Sequence, residues 1–272
     1  MEPIYFIHLT DTHIISPRKG FLFNVDVITK LHLIFDAVKE LSIKPQFVVI
    51  SGDLTHDGDV EDYQFLKELL NEKSSELGIP VFTALGNHDS REVFREGYLS
   101  EEPTAEPYYY EKMIGELRLI VLDSQIPGRV GGHIDKGQLD WLASILQTPA
   151  PAGTILMFHH PILPTISPRT TLLLNREELA TIIEDSDVIG ILTGHIHYNS
   201  IGEFHGITSL TGAGTGFGFD PTTKDSIRVL DNSGFNFIMV KDRRMMVSPM
   251  SIPSTHKEMF RLPIEVSRKI SS

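Results

Sequence analysis

The sequence predicts an α/β fold built around parallel strands. Short apolar runs at residues 4–9, 47–50 and 81–85 are typical of buried strands, and stretches with helical spacing of apolar residues separate them. A strand–helix–strand–helix–strand order implies right-handed crossovers, which leave the three strands parallel. Polar residues follow each run directly, and the carboxyl ends of parallel strands meet at one edge of a sheet. We therefore expect a polar site at that edge.

The first two helices carry the clearest helical signals. Residues 25–41 have apolar side chains at the three- and four-residue spacing of one helix face. Asp59 is the expected N-cap of a second helix over residues 60–77, and Gly78 together with Pro80 ends it.

The second half of the chain alternates between predicted strands and helices. Strands are expected at residues 108–112, 117–122, 154–158, 188–192, 200–204, 207–210, 235–240 and 245–247, and helices at 135–146 and about 177–183. The acidic stretch 98–107 contains two prolines and predicts a surface loop. Residues 212–218 are rich in glycine but lack the lysine of a phosphate-binding loop, so we expect a flexible connection there.

Composition limits the class of protein. The 272 residues, 41% hydrophobic and 22% charged, suit one large domain or, less well, two small ones. We expect one catalytic domain over residues 1–250, with a C-terminal tail (251–272) that packs on the surface or on a partner subunit, which leaves a homodimer open. The chain has no cysteine, which excludes disulfides and thiolate ligands.

Apolar runs, leader segments and basic patches bear on the expected location and partners of the protein. No apolar run approaches the ~20 residues that span a bilayer. The N terminus has no basic leader, so we expect a cytoplasmic protein without membrane contact. The net charge of −12 argues against binding of nucleic acid, which basic patches hold.

Four polar clusters and one histidine follow the predicted strands. They are Asp11-Thr12-His13, Gly52-Asp53, Gly86-Asn87-His88-Asp89 and Gly194-His195-Ile196-His197, with His159 between the last two. The Asp-x-His and His-x-His triplets are weak signals alone, whereas Gly-Asn-His-Asp is not expected by chance in this composition. Carboxylate, imidazole and amide ligands suit two divalent ions such as Mn, Fe, Zn or Co. Such a pair is typical of enzymes that hydrolyse phosphate esters.

The ordered pattern resembles the calcineurin-like metallophosphoesterase superfamily over about residues 4–212. Within it the chain is most similar to class III cyclic-nucleotide phosphodiesterases and glycerophosphodiesterases, with further matches at residues 122–125, 138–142 and 159–161. The resemblance implies a four-layer αββα sandwich, in which two mixed β-sheets are flanked by helices. It also implies a dinuclear metal-dependent phosphodiesterase, whose substrates would be small 3′,5′-cyclic nucleotides or glycerophosphodiesters.

The resemblance also implies a role for each site residue. One metal would be held by Asp11, His13, Asp53 and His197, and the other by Asp53, Asn87, His159 and His195. Asp53 would bridge metals about 3.5–4 Å apart, and a water shared by them would be acidic enough to attack phosphorus. His88 would stabilise the phosphoryl oxygens and protonate the leaving group, and Asp89 would orient it. For His160, support of the ligands and plain packing both stay open.

Several other functions were weighed against a phosphodiesterase. Protein Ser/Thr phosphatases carry Gly-Asp-x-x-Asp-Arg-Gly, but residues 52–58 read GDLTHDG and lack the arginine. The acidic charge counts against a nuclease, whereas a nucleotide or lipid pyrophosphatase stays open. A non-catalytic protein-binding scaffold is disfavoured because the set of ligands is complete. Aromatic residues at 21–23 and 108–110 either stack on a base or simply pack, so the sequence does not choose between nucleobase and glycerol.

Overall fold

The computed structural model describes residues 2–167, 171–222 and 226–263. The strands are β1 (Ile4–Leu9), β2 (Phe47–Ser51), β3 (Val81–Ala84), β4 (Tyr110–Ile114), β5 (Leu117–Val121), β6 (Thr154–Met157), β7 (Val188–Thr193), β8 (Ser200–Phe204), β9 (Ile207–Thr211), β10 (Gly218–Asp220), β11 (Ser226–Leu230), β12 (Gly234–Lys241), β13 (Arg244–Ser251) and β14 (Glu258–Pro263). The helices are α1 (Val27–Glu40), α2 (Val60–Leu77), α3 (Arg91–Phe94), α4 (Lys136–Ile145) and α5 (Arg176–Ile183), with a 3₁₀ turn at Pro17–Lys19 and a π-helical turn at Arg95–Leu99.

Two mixed sheets form the centre of the molecule. The first has the order β13-β12-β1-β2-β3, and β1, β2 and β3 are parallel, as the sequence predicts. The second has the order β4-β5-β6-β7-β9-β8, with β5, β6, β7 and β9 parallel. Antiparallel strands complete both sheets, so that each is mixed.

Strand alternation separates the apolar core into layers. In β1, Phe6 lies between the two sheets and stacks on Phe47, whereas Ile7 on the opposite face packs toward α1 and α2. The outer face of the second sheet is covered by α4 and α5 through residues such as Leu142 and Leu179. The layers are therefore helices, sheet, sheet and helices, which confirms the expected αββα sandwich.

The parallel strands bring their polar end loops to a common edge. The loop after β1 is tied to the loop after β2 by the Asp11 amide, which donates to the Gly52 carbonyl at 3.0 Å. The loop after β7 in the other sheet is tied to the same place, because the His195 amide donates to the Asp11 carboxylate at 3.0 Å. Hydrogen bonds across the two sheets thus fix where the site lies.

The C-terminal region contains strands that the sequence does not predict. β14 pairs antiparallel with β11, and β10 completes a three-stranded sheet that the sequence analysis did not predict. β14 also places Phe260 and Leu262 against the core that contains Val229. The apolar alternation in β14 is too short to stand out in the sequence, and its partner lies about 30 residues earlier. Residues 264–272 of the expected tail lie outside the described residues.

No helix within the described ranges is both long and apolar enough to cross a membrane.

The start of α2 matches the sequence prediction. The Asp59 side chain accepts from the Asp62 amide at 3.1 Å, and the Asp62 carboxylate accepts from the Asp59 amide at 3.0 Å. This reciprocal pair is a capping box, which satisfies two amides that the first helical turn leaves unpaired.

Replacing the cap is expected to weaken the fold without touching the polar site. Asp59→Ala should lower the free energy of unfolding by about 1 kcal/mol, because the Asp62 amide loses its acceptor. Urea denaturation measures the change. The control is Asp185→Ala, at an exposed aspartate after α5, which should unfold like the parent. Equal stability of the two variants would contradict the capping role.

Candidate metal centre

The structure gathers the seven expected ligands at the shared edge of the two sheets. Four of them, Asp11, His13, Asp53 and His197, offer ligand atoms that all lie within 4.8 Å of one another. All four side chains are buried. A buried cluster of two carboxylates and two imidazoles needs charge compensation, since isolated charges are costly to remove from water.

Most of these ligands have a left-handed backbone conformation, which L-residues rarely adopt. The ligands with positive φ are Asp11 (52°), His13 (46°), Asp53 (49°), His195 (79°) and His197 (56°). Such conformations persist only where the surroundings enforce them, and they concentrate at functional sites. The strand-end glycines allow the close approach, because a Cβ on Gly86 would collide with the Asp53 carboxylate.

Asp53 occupies the centre of the cluster. Its Oδ2 lies 3.7 Å from His13 Nε2 and 3.3 Å from His159 Nε2, so imidazoles approach the same oxygen from two sides. Its Oδ1 accepts from the His88 amide at 2.9 Å. The carboxylate therefore joins the two groups of ligands that the family resemblance assigns to two metals.

The first group of ligands surrounds His197. The Nε2 atoms of His13 and His197 lie 3.2 Å apart, and His197 Nε2 lies 3.3 Å from Asp11 Oδ1. The other ring nitrogen of His197, Nδ1, donates to the Phe217 carbonyl at 2.9 Å. A backbone acceptor on one nitrogen leaves the other free to bind a metal ion, an arrangement common among metal-binding histidines.

The second group contains His159, His195 and Asn87. His159 Nδ1 donates to the Ser51 carbonyl at 2.9 Å. Its Nε2 is buried and makes no well-aligned hydrogen bond within the described residues, although Asp53 Oδ2 lies 3.3 Å away. His195 Nδ1 donates to Asn87 Oδ1 at 2.8 Å, and its Nε2 lies 2.7 Å from Thr171 Oγ1. A buried imidazole nitrogen that faces a carboxylate oxygen without a well-aligned hydrogen bond fits a metal ion between the two, so these residues suit the expected pair of ions.

The electrostatics of the cluster also suit cations. Burial lowers the pKa of His13 well below its usual value, and the Asp53 charge only partly opposes this. Burial also lowers the pKa of His159, but the Asp53 carboxylate outweighs it and raises this pKa to about 9. Burial raises the pKa of Asp53, yet His159 and His88 outweigh it and hold that pKa well below its ordinary range. The carboxylate is therefore ionised, and cations would replace the proton on His159.

His88 lies at the mouth of the cluster. Its Nδ1 contacts Asp57 Oδ1 at 2.9 Å, and its ring stacks on His56 with centroids 4.7 Å apart. Burial lowers the pKa of His88, but Asp53 and Asp57 outweigh burial and raise it to about 9. The two carboxylates thus favour the protonated ring, which is able to donate.

The structure corrects the role expected for Asp89. Its buried carboxylate accepts from the amides of Leu54, Thr55 and Gly86 at 3.1, 3.2 and 2.8 Å and from the Tyr63 hydroxyl at 2.8 Å. Asp89 thus ties the loops after β2 and β3 together and does not orient the His88 imidazole. The carboxylate beside that imidazole is Asp57, whose sequence signal was only its place in the loop after β2.

His160 packs beside the ligands without facing the site. Its Nδ1 lies 2.8 Å from Ser124 Oγ and its Nε2 donates to the Val130 carbonyl at 3.0 Å, so both ring nitrogens have protein partners. Its ring lies 5.1 Å from the ring of His159 and 5.0 Å from that of His195. Of the two roles left open by the sequence, the structure favours packing behind the ligands.

Sequence reasoning missed the aromatic wall beside the first group of ligands. The rings of Phe217 and Phe219 stack on His197, with centroids 4.6 and 4.2 Å apart. His56, in the loop after β2, places its Nδ1 3.2 Å from His13 Nδ1. These contacts join segments far apart in the chain, so no local sequence pattern predicts them.

The fold agrees with solved structures of low sequence identity. A dimetal phosphatase from Danio rerio superposes with a TM-score of 0.67 at 16% identity, covering 97% of this chain and 99% of that one. A purple acid phosphatase from yellow lupin seeds gives 0.61 at 13% identity, covering 92% of this chain and 52% of that one. These likenesses concern the fold alone.

Sequence relatives are more similar. A probable cyclic nucleotide phosphodiesterase of Rhodococcus erythropolis is 38% identical over 75% of this chain and 68% of its own length. A cAMP/cGMP dual specificity phosphodiesterase of Mycobacterium tuberculosis is 36% identical, and the match spans 74% of this chain but only 64% of that protein. A probable glycerophosphodiester phosphodiesterase of Arcobacter nitrofigilis is 28% identical over 76% of this chain and 77% of its own.

The family match covers the strands and loops that build the site. The sequence model of the calcineurin-like phosphoesterases matches residues 4–199, which include all seven expected ligands and His88. This match confirms the resemblance drawn from the motifs, and the chain belongs to the calcineurin-like phosphoesterase family.

Proposed function

We propose that this protein is a dinuclear metal-dependent phosphodiesterase that hydrolyses small-molecule phosphodiesters. The observation that carries the proposal is the central carboxylate oxygen, Asp53 Oδ2, with His13 Nε2 and His159 Nε2 on two sides of it at 3.7 and 3.3 Å. The names of the bacterial relatives support phosphodiester substrates, either cyclic nucleotides or glycerophosphodiesters.

The ligands divide into two sets that share Asp53. We assign Asp11, His13, Asp53 and His197 to one ion and Asp53, Asn87, His159 and His195 to the other. When bound, two divalent ions would neutralise charge on the phosphoryl oxygens and acidify a water molecule that attacks phosphorus. The choice among Mn, Fe, Zn and Co stays a prediction.

His88 is the proposed proton donor to the leaving group. The contact between Asp57 and His88 Nδ1 leaves Nε2 of the same ring available to a substrate oxygen. The amide of His88 donates to Asp53 Oδ1, so the backbone that carries the ring is fixed to the centre of the site. A protonated imidazole held in this way can stabilise the phosphoryl oxygens and protonate an alkoxide.

The carboxylates at the site favour a diester. A phosphate monoester brings a second negative charge close to Asp11, Asp53 and Asp57, whereas a diester brings one. The arginine that follows the corresponding loop in protein phosphatases is replaced by Asp57. The cytoplasmic location, the possibility of a homodimer and the absence of nucleic-acid and membrane partners stay predictions from the sequence.

Removal of the shared carboxylate charge is expected to empty both metal sites. Asp53→Asn should abolish activity and reduce the content of both ions, while His197→Ala should empty mainly one, because His197 belongs to one set. Metal analysis of the purified proteins measures this. Asp242→Asn is the matched control, since exposed Asp242 shares the left-handed backbone of Asp53. Two full equivalents of metal in Asp53→Asn would refute the shared ligand.

We expect the protein to prefer phosphodiester substrates to phosphomonoester substrates. With one defined metal and pH, kcat/KM for bis(p-nitrophenyl) phosphate should exceed that for p-nitrophenyl phosphate, because the monoester carries more negative charge into an acidic site. Assays of the same metal-loaded preparation on both substrates decide the question. A clear preference for the monoester would overturn the proposal of a phosphodiesterase.

Loss of the His88 ring is expected to affect turnover and not metal content. His88→Ala should retain both ions and lose kcat by roughly 10²–10⁴-fold, the range for a general acid or an oxyanion donor. Protonation predicts a larger loss with an alkoxide leaving group than with p-nitrophenolate. The control His205→Ala changes a histidine in the turn between β8 and β9 and should keep full activity. Full activity of His88→Ala would remove this ring from the mechanism.

A further inference from the structure

A strained turn projects one aromatic ring toward the metal centre. The Leu22 amide donates to the Val25 carbonyl at 3.1 Å, and the Val25 amide donates to the Leu22 carbonyl at 2.7 Å. The two residues between them, Phe23 and Asn24, have φ of 51° and 63°. Left-handed backbone at both central positions is typical of a type I′ hairpin turn, which favours asparagine and glycine. A phenylalanine in this conformation is a genuine outlier.

The surrounding structure holds this turn in place. Leu22 and Val25 are buried in the core that includes α1 and α2, and they clamp the turn from both sides. Phe23 itself is 39% exposed, so burial of its own ring is incomplete. A strained, partly exposed aromatic residue between two buried anchors is the kind of feature that concentrates at functional sites.

The neighbours of Phe23 place it at the border of the metal centre. Its ring centroid lies 5.2 Å from that of His56, 5.8 Å from that of Phe217 and 4.9 Å from that of Phe260. The His56 ring in turn lies 4.7 Å from the ring of His88 and 5.1 Å from that of His13. Three aromatic neighbours thus fix the orientation of a ring that lies one side chain away from the proposed proton donor.

We propose that Phe23 determines substrate specificity by stacking on a flat ring system of the diester. The preferred class would then be diesters of a nucleoside or an aryl alcohol, and not glycerophosphodiesters. Aromatic side chains stack on any base through its π-face. A ring whose orientation is already fixed loses little conformational entropy when it stacks. This inference rests on the proposed phosphodiesterase function and names the part of the substrate that the site selects.

Two substitutions separate the stacking role from a structural one. Phe23→Asn removes the ring and keeps a residue that tolerates left-handed backbone, so the turn is retained. Phe23→Tyr keeps a ring of nearly the same size. Phe21→Asn is the matched control, because Phe21 lies in the same loop and is 66% exposed.

The test compares ring-bearing and ringless substrates with the full-length, Mn-loaded protein. For 3′,5′-cyclic AMP we expect Phe23→Asn to raise KM by roughly 5- to 100-fold, the usual loss when an aromatic side chain that stacks on a base is removed. For glycerophosphoethanolamine its KM should stay within about twofold of the parent, as expected when no ring is present to stack. Phe23→Tyr and Phe21→Asn should behave like the parent on both substrates.

A binding measurement gives a readout that does not depend on turnover. By calorimetry, Phe23→Asn should weaken binding of 5′-AMP and leave binding of glycerol 3-phosphate unchanged. Equal losses on ring-bearing and ringless compounds, or no loss on either, would overturn the role of Phe23 while the phosphodiesterase proposal stands. If the parent hydrolyses neither diester, the proposed function fails, and the specificity inference fails with it.

Discussion

The burial of the Asp53 carboxylate is the constraint on which the site depends. An ionised carboxylate removed from water needs positive partners and hydrogen-bond donors around it. Here the His88 amide donates to one oxygen, and the imidazoles of His13 and His159 face the other. The three partners come from three different strand-end loops, two in the first sheet and one in the second. The hydrogen bond and the ion pairs that stabilise this one buried charge therefore hold the two sheets together at this edge.

Close packing of the loops around this charge explains the residues beside it. Gly86 has to lack a Cβ because the Asp53 side chain fills that space. Asp89 accepts hydrogen bonds from amides in the loops after β2 and β3, and its burial against Tyr63 holds those loops at a fixed distance. The Gly-Asn-His-Asp motif thus combines a close approach, a proposed ligand, the proposed proton donor and a structural carboxylate in four consecutive residues.

Phe260 and Phe23 extend the aromatic wall beside the first group of ligands, and this extended wall carries the proposed substrate selectivity. It is built from Phe217, Phe219, Phe260 and Phe23, which come from the three-stranded sheet, the segment before it and the turn before α1. Its aromatic surface borders imidazoles on one side and solvent on the other. The wall consists of segments outside the strand-end motifs that supply the proposed metal ligands.

The sequence by itself determined the parallel strands of the first sheet, the cap of α2 and the polar residues that follow the strands, because strand periodicity, capping residues and strand-end motifs are local signals. The four layers were expected only from the family resemblance. Tertiary structure alone decided which carboxylate meets which imidazole. Asp57 contacts His88 and Asp89 does not, although Asp89 is adjacent in sequence. It also decided that residues 258–263 form a strand and that Phe23 borders the metal centre. Those contacts join segments about 30 to 240 residues apart, and only the folded chain brings them together.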